Sequence, residues 1–266
     1  EKPQGEGRQK GAEMDEQAKA LIAELMEISR SSPQEEPHVK PTRFPCKRCG
    51  GTGWIFYRME GVDKACRCPE CREIRDMHFY LRSSGIKPEN YEAFTMERFK
   101  TDNIMAYEMK KLAQGFLKDP NAKGLGFFGR PGTGKTHICI ATCQAMKREH
   151  HYWQYRREIQ RIKAVMYKNL DRYDEMIARV SQLPWLYIDD LFKGAIKGSE
   201  MQSQDQQIMF DIINSRYVNR MPTIVSSEFP LDEITRADEG IGGRLKEMLE
   251  PYVYTVHGEN RRLKGA

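Results

Sequence analysis

The octapeptide Gly129-Arg-Pro-Gly-Thr-Gly-Lys-Thr136 restricts what this 266-residue chain can fold into more than any other segment. It satisfies G-x4-G-K-[ST], it follows the apolar run Leu125 to Phe128, and it opens a helical pattern that continues through Glu149. A strand, a glycine-rich turn and a helix N-terminus in that order form a phosphate-binding loop. The glycines let backbone N–H groups close around the anion, and the helix dipole favours its charge. Gly129, Pro131, Gly132, Thr133 and Gly134 form the cradle and His137 follows in the first helical turn. Lys135 is expected to neutralise the terminal phosphates and the Thr136 hydroxyl to ligate Mg2+.

Such a loop requires a second, acidic strand to hold the metal. Trp185-Leu-Tyr-Ile-Asp189-Asp190 supplies it: an apolar run short enough for a buried strand, ending in carboxylates at its carboxyl end, where open α/β sheets place their ligands. Asp189 is expected to act on Mg2+ through water, and Asp190 to orient or deprotonate an attacking water. Further apolar runs at Tyr152 to Tyr155, Thr223 to Val225 and Tyr252 to Val256 alternate with helical stretches, Asn103 to Leu117 among them. Alternation of this kind predicts an α/β fold, a central parallel sheet with helices on both faces.

Ahead of this region the composition changes. Residues 1–42 begin with a polar stretch lacking periodicity, followed by an amphipathic pattern (Ala18, Leu21, Ile22, Leu25, Ile28) that docks on the cysteine module or on a partner. Residues 43–84 form a cysteine module and 85–266 the remaining domain, with Gly85-Ile86-Lys87-Pro88 as the boundary. Five of the seven cysteines (Cys46, Cys49, Cys66, Cys68, Cys71) fall within 26 residues, which suits a structural zinc site better than a disulfide framework. Cys46 and Cys49 make one C-x-x-C pair, and the glycines after Cys49 let amides approach sulfur. The return pair is Cys68 with Cys71 or Cys66 with Cys68, so four of the five ligate and one is spare. Four thiolates close the tetrahedron and leave no catalytic position. Trp54 to Tyr57 form a strand beside the metal, and Cys139 and Cys143 pack in the core.

With 39% hydrophobic and 30% charged residues, the chain can bury a core, and no apolar stretch is long enough for a transmembrane helix. No charged-then-apolar leader opens it, so the expected location is the cytoplasm and no membrane partner is expected. The net charge of +5 is too small to identify a polyanion partner. Charge is concentrated at Arg156, Arg157, Arg161 and Lys163, followed by Lys168 and Arg172, on two helices inserted before the acidic strand. Cations along a helix neutralise phosphates and neighbouring aromatics stack on bases, so this element is a candidate single-stranded DNA contact; a solvated helix face beside a buried aromatic strand is the competing account.

From Pro88 to Ala266 these residues resemble the AAA+ ATPases, and more narrowly the DnaC/DnaI-type loaders of bacterial and phage replicative helicases. The resemblance rests on Phe99-Lys-Thr-Asp-Asn103, Gly129 to His137, Ile188-Asp-Asp-Leu191, Thr223-Ile-Val-Ser-Ser227 and Gly242-Gly-Arg-Leu245. DnaI-type members also carry an N-terminal zinc module that contacts the helicase. The resemblance implies an Mg2+-dependent ATPase that takes ATP to ADP, that binds a hexameric replicative helicase and single-stranded DNA, and that self-associates through its ATPase domain. It implies that Arg244 is an arginine finger reaching a neighbour's γ-phosphate, against simple pairing with Glu247 or Glu250. It also implies that Arg262 senses nucleotide. Tyr91, Phe94 and Phe99 fall where the family flanks adenine, although ordinary packing explains them better. The family's polar sensor after the fourth strand is an Asn, whereas here Ser227-Glu228 occupies the region; Ser227 is the expected contact, because Glu228 repels phosphate unless a cation intervenes. With no room for a full C-terminal lid, slow, assembly-dependent turnover is expected. Two other readings share the core: an IstB-type transposition-regulator ATPase, which commonly lacks a four-cysteine module, and a zinc-bearing adaptor that binds nucleotide without hydrolysing it.

Overall fold

The structure, a computed structural model, describes residues 46–257 except 51, 60 and 199. Arg262 and the amphipathic pattern from Ala18 lie outside the described residues. The chain divides into two compact units between Cys68 and Pro69. The helix Arg72–Ser84 (α1), within the stretch 43–84 that the sequence reading assigns to the cysteine module, falls in the larger unit.

In the smaller unit β1 (Trp54–Met59) and β2 (Val62–Arg67) form an antiparallel hairpin in which Trp54 faces Arg67 and Ile55 faces Cys66. The Arg67 guanidinium lies 5.6 Å from the centre of the Trp54 ring. Just outside the hairpin, the Cys68 N–H donates to the Gly53 carbonyl at 2.9 Å, so Cys68 lies beside the turn that follows Cys49.

The larger unit continues through α2 (Pro88–Ala93), α3 (Ile104–Lys118), β3 (Gly124–Gly129), α4 (Lys135–Ala145), β4 (His151–Gln154), α5 (Tyr155–Met166), α6 (Leu170–Ser181) and β5 (Leu186–Asp189). It ends with the short pair β6 (Ile196–Lys197) and β7 (Glu200–Met201), then α7 (Ser203–Val218), β8 (Thr223–Ser227), α8 (Leu231–Ala237), α9 (Glu239–Leu249) and β9 (Val253–Val256). Five strands form one sheet in the order β4-β5-β8-β3-β9, all parallel. Every residue of β3, β5 and β8 is buried, as a parallel sheet covered on both faces requires. Alternation divides their side chains between two cores. Phe128, Leu186, Ile188 and Val225 pack with residues of α5, α7 and α9, whereas Leu125, Phe127, Tyr187 and Ile224 pack with α3 and α4. The expected three-layer architecture is what the structure shows.

Strand ends shift by one or two residues from the sequence reading, and two elements differ in kind or by a full turn. The helix after the phosphate loop stops at Ala145, because Lys147 turns left-handed (φ +50°) and the segment beyond has no apolar stripe. The run Tyr152 to Tyr155 is not one strand: Tyr155 begins α5, with its hydroxyl hydrogen-bonded to Asp205 at the start of α7.

The sheet is tied to its helices by a buried cation. Arg216, at the end of α7, is fully buried and donates to Thr223 Oγ1 (3.0 Å) and to the carbonyls of Ser181 (2.9 Å), Leu183 (2.8 Å), Val180 and Pro222. Burial lowers its pKa to about 10, so it stays charged at neutral pH. The guanidinium thereby ends α6, starts β8 and closes α7 in one contact. Arg216→Met should destabilise the protein by about 3 kcal/mol, since it orphans several buried carbonyls. Urea denaturation measures this, and a loss below about 1 kcal/mol would show that the network contributes little.

Candidate nucleotide site and cysteine cluster

β3 ends in Gly129 at φ +109°, where a Cβ would lie 2.3 Å from the Val256 carbonyl oxygen of β9. A glycine is therefore required where the chain leaves the sheet. Gly132 (φ +74°) and Gly134 (φ +99°) continue the turn around Pro131 and Thr133 into α4. Thr133 Oγ1 donates to Arg130 O at 3.0 Å, and the buried Lys135 ammonium donates to Gly129 O and Arg130 O, both at 2.6 Å. Lys135 is thus folded back over the loop that its charge is suited to serve. His137 Nε2 lies 2.9 Å from Thr95 O, with the Phe94 and Phe99 rings 5.0 and 5.2 Å from its own. Phe99 and Tyr91 are buried in the core around α3 and α4, which is the packing role expected of them.

Asp189 ends β5 and is 4% exposed. Its Oδ1 accepts hydrogen bonds from Thr136 Oγ1 (3.0 Å), the Tyr187 hydroxyl (2.6 Å) and Ser226 Oγ (2.7 Å), and its Oδ2 accepts one from the Tyr152 hydroxyl (2.8 Å). The fold therefore joins the loop threonine to the strand acid as the sequence reading requires. Burial first, and then the neighbouring carboxylate, push both tyrosines' pKa values up, so they remain hydroxyl donors. Tyr187 and Ser226 are not singled out by the sequence, and Tyr152 is singled out there as an aromatic of the inserted element and not as a partner of the acid. Tyr187 carries a readable signal, since it lies two residues from Asp189 on one strand and so shares its face.

Ser226, the neighbour of the serine expected to contact the terminal phosphate, is the one that lies at the acid pair. Ser227 Oγ donates to Leu191 O at 2.7 Å and accepts from Phe229 N, so its hydroxyl is occupied by the backbone after β5 and β8. The two serines fall on opposite faces of β8, and only one parity reaches Asp189. Asp190 is left-handed (φ +55°), and its N–H donates to Ser226 Oγ at 3.2 Å. Its Oδ2 accepts from Lys193 Nζ at 2.7 Å, and the same ammonium lies 3.7 Å from Glu228. Glu228 therefore has the accompanying cation that its position demands, and that cation was not identified from sequence. Burial lowers the pKa of Lys135 to about 8, against the attraction of Asp190, Cys139 and Glu228. For Lys193 burial is outweighed by the Asp190 hydrogen bond and the nearby carboxylates, and its pKa rises.

Arg244 is fixed by its own chain. Nε donates to Asn214 Oδ1 (2.9 Å), Nη1 donates to Gly240 O (2.8 Å), and the guanidinium lies 4.9 Å from the Phe210 ring centre. Glu247 instead accepts from the Tyr217 hydroxyl, and Glu250 lies near Lys246, so the proposed pairing of Arg244 with either glutamate is not what the structure shows. On α5, Arg156, Arg157 and Arg161 are exposed, and Glu158 accepts from Arg157 and Arg161. Lys163 departs from the expected DNA-facing role. It forms an ion pair with the buried Asp205 and its side chain is 13% exposed, because Asp205 requires a cation there. Trp153 and Tyr155 are buried and Tyr152 is bonded to Asp189, so the exposed aromatic of this element is Tyr167, 74% exposed at the turn between α5 and α6.

The Sγ atoms of Cys46, Cys49, Cys68 and Cys71 lie within 4.8 Å of one another, with Cys46 and Cys68 3.7 Å apart. Thiolates around a tetrahedral ion with bonds of about 2.3 Å are separated by about 3.8 Å, so the four could hold a metal ion. Gly50 turns left-handed (φ +59°) after Cys49, and Gly53 N–H donates to Cys49 Sγ at 3.3 Å. Cys66, opposite Ile55 on β2, is exposed and outside this group. Cys139 and Cys143 are buried in α4, and burial raises their pKa values. Among the described residues no helix is long and apolar enough to cross a membrane.

A parallel sheet whose phosphate-loop strand and acid strand flank β8, with helices on both faces, is the AAA+ fold. No family model matches the chain. The phage-like element PBSX protein XkdC of Bacillus subtilis (strain 168) is 26% identical over 243 residues, which is 84% of this chain and 88% of that protein. A crystal structure of the DnaC helicase loader is similar with a TM-score of 0.54 and 23% identity, over 63% of this chain and 99% of that one. AMPPCP-bound DnaA from Aquifex aeolicus matches with a TM-score of 0.51 and 18% identity, over 67% of this chain and 53% of its own.

The lowered pKa of Lys135 has a stability consequence. Between pH 8 and its ordinary value near 10.5, the unfolded chain binds the proton that the folded chain has released, so stability rises with pH in that window and the charged lysine opposes folding below it. Lys135→Met should therefore raise stability at pH 7 by about 2 kcal/mol, with the gain shrinking towards pH 10.5. Denaturation midpoints across pH measure this, and a variant less stable than wild type at every pH would contradict it.

Proposed function

We propose that this chain is an ATP-switched loader that binds a hexameric replicative helicase and delivers it to single-stranded DNA. The observation that carries the reading is the contact between Thr136 and Asp189. It sets a hydroxyl from the phosphate loop and a buried carboxylate at the carboxyl edge of the sheet, in a fold shared with a helicase loader over 99% of that protein's chain. Thr136 and Asp189 would hold Mg2+, with Lys135 and the loop amides on the phosphates of ATP. Asp190 orients water, and its tie to Lys193 suits slow turnover of a switch rather than a motor. Arg156, Arg157 and Arg161 supply exposed cations for the nucleic-acid backbone. Cys46, Cys49, Cys68 and Cys71 hold a structural zinc ion, whose donor set of thiolates favours that metal. Such a partner and substrate place the protein in the cytoplasm of a bacterial cell.

Native mass spectrometry tests this reading directly. The protein mixed with candidate replicative helicases, with and without ATP, should give a complex that depends on nucleotide, and the free chain should carry one zinc ion. That ion should persist in Cys66→Ser and be lost in Cys68→Ser. Association with a transposase alone, under the same conditions, would overturn the loader reading.

A further inference from the structure

Beside Asp190 the fold positions Lys193, whose ammonium the nucleotide-site reading leaves without a direct contact to the nucleotide. Both Asp190 (φ +55°) and Phe192 (φ +62°) are left-handed. A bulky residue such as Phe is an outlier in that region, and such strain persists only where its surroundings fix it. Phe192 is fully buried, with its ring 5.7 Å from that of Tyr155. The turn it pins closes with Lys193 N–H donating to Asp190 O at 3.1 Å and brings Lys193 Nζ to Asp190 Oδ2 at 2.7 Å, with Glu228 Oε2 at 3.7 Å. Lys193 and Glu228 both influence Lys135, so the two lysines, Asp190 and Glu228 share one electrostatic neighbourhood.

That neighbourhood has a charge problem. Asp190 and Glu228 are carboxylates that act on the charge of Lys135, the residue assigned to the terminal phosphates, and like charges so near oppose the binding of a phosphate there. Lys193 touches both, is half-exposed, and sits on a flexible four-carbon stem that can change partners. We propose that Lys193 distinguishes a nucleoside triphosphate from a diphosphate. Its ammonium leaves Asp190 for the terminal phosphate when that group is present, which frees the Asp190 carboxylate to orient water, and it stays on Asp190 when the nucleotide ends at the second phosphate. This inference rests on the nucleotide-switch reading above and adds to it the residue that reports which nucleotide is bound.

The test is calorimetric titration of the full chain with AMPPCP and, separately, ADP, both with Mg2+. Lys193→Gln should weaken AMPPCP binding by about tenfold and leave ADP within about twofold, because it removes one charge-assisted contact that only the triphosphate makes. Lys193→Arg should retain the wild-type preference. Glu228→Gln removes a repulsive carboxylate, so it should shift preference towards AMPPCP by itself and recover most of the loss when added to Lys193→Gln. A merely structural ion pair would change both nucleotides alike. Equal weakening of both, or an unmoved preference in Lys193→Gln and Glu228→Gln, would overturn the assignment while leaving the nucleotide site in place. Wild-type protein that binds neither nucleotide would overturn that site and the assignment together.

Discussion

The carboxylate of Asp189 is the point at which the sheet, the phosphate loop and the neighbouring strands meet. Burying a charged group is costly unless it is fully hydrogen-bonded, and here the donors come from different elements: Thr136 from α4, Tyr152 from β4, Tyr187 from β5 and Ser226 from β8. Each donor reaches the acid only if its own strand or helix is in register. The parallel pairings of β4 with β5 and of β5 with β8 are thus tied to the geometry of one side chain. The same convergence links the start of the inserted helices to the acid, because Tyr152 lies only a few residues before Arg156 and Arg157.

Much of this was legible in sequence because its physical basis is local. The glycines of the phosphate loop are required where the chain turns left-handed, and the apolar run before Asp189 has the length of a buried strand. The two-residue alternation of β3, β5 and β8 sorts their side chains between two cores. The paired C-x-x-C spacing likewise reports a local turn. What sequence did not disclose depends on register or on backbone angles. Ser226 and Ser227 are adjacent and chemically identical, and only the parity of β8 decides which one reaches Asp189. Lys193 meets Asp190 in a turn where two residues that are not glycine, Asp190 and Phe192, adopt positive φ. Cys66 is excluded by its position within the β2 pairing, whereas Cys68 lies just beyond it.

The charged residues of α5 show the same limit from the other side. A row of cations reads as one surface in sequence, yet the structure separates it. Lys163 compensates the buried Asp205, Arg157 and Arg161 share Glu158, and Arg156 remains outside that group. Aromatic residues that looked available for stacking on bases instead serve the interior, where Tyr152 holds Asp189 and Tyr155 holds Asp205. Composition identifies the charge, and three-dimensional pairing determines how much of it is left for a polyanion.

The account depends on Thr136 and Asp189 together forming a divalent-metal site beneath a bound triphosphate. The most direct measurement is calorimetry with ATP in the presence of Mg2+ or of excess chelator, for the wild-type chain and for Asp189→Asn. Wild-type affinity should be at least about tenfold higher with Mg2+, and Asp189→Asn should lose most of that advantage while remaining folded. Wild-type affinity that is the same with and without Mg2+, or no binding heat at all, would contradict it.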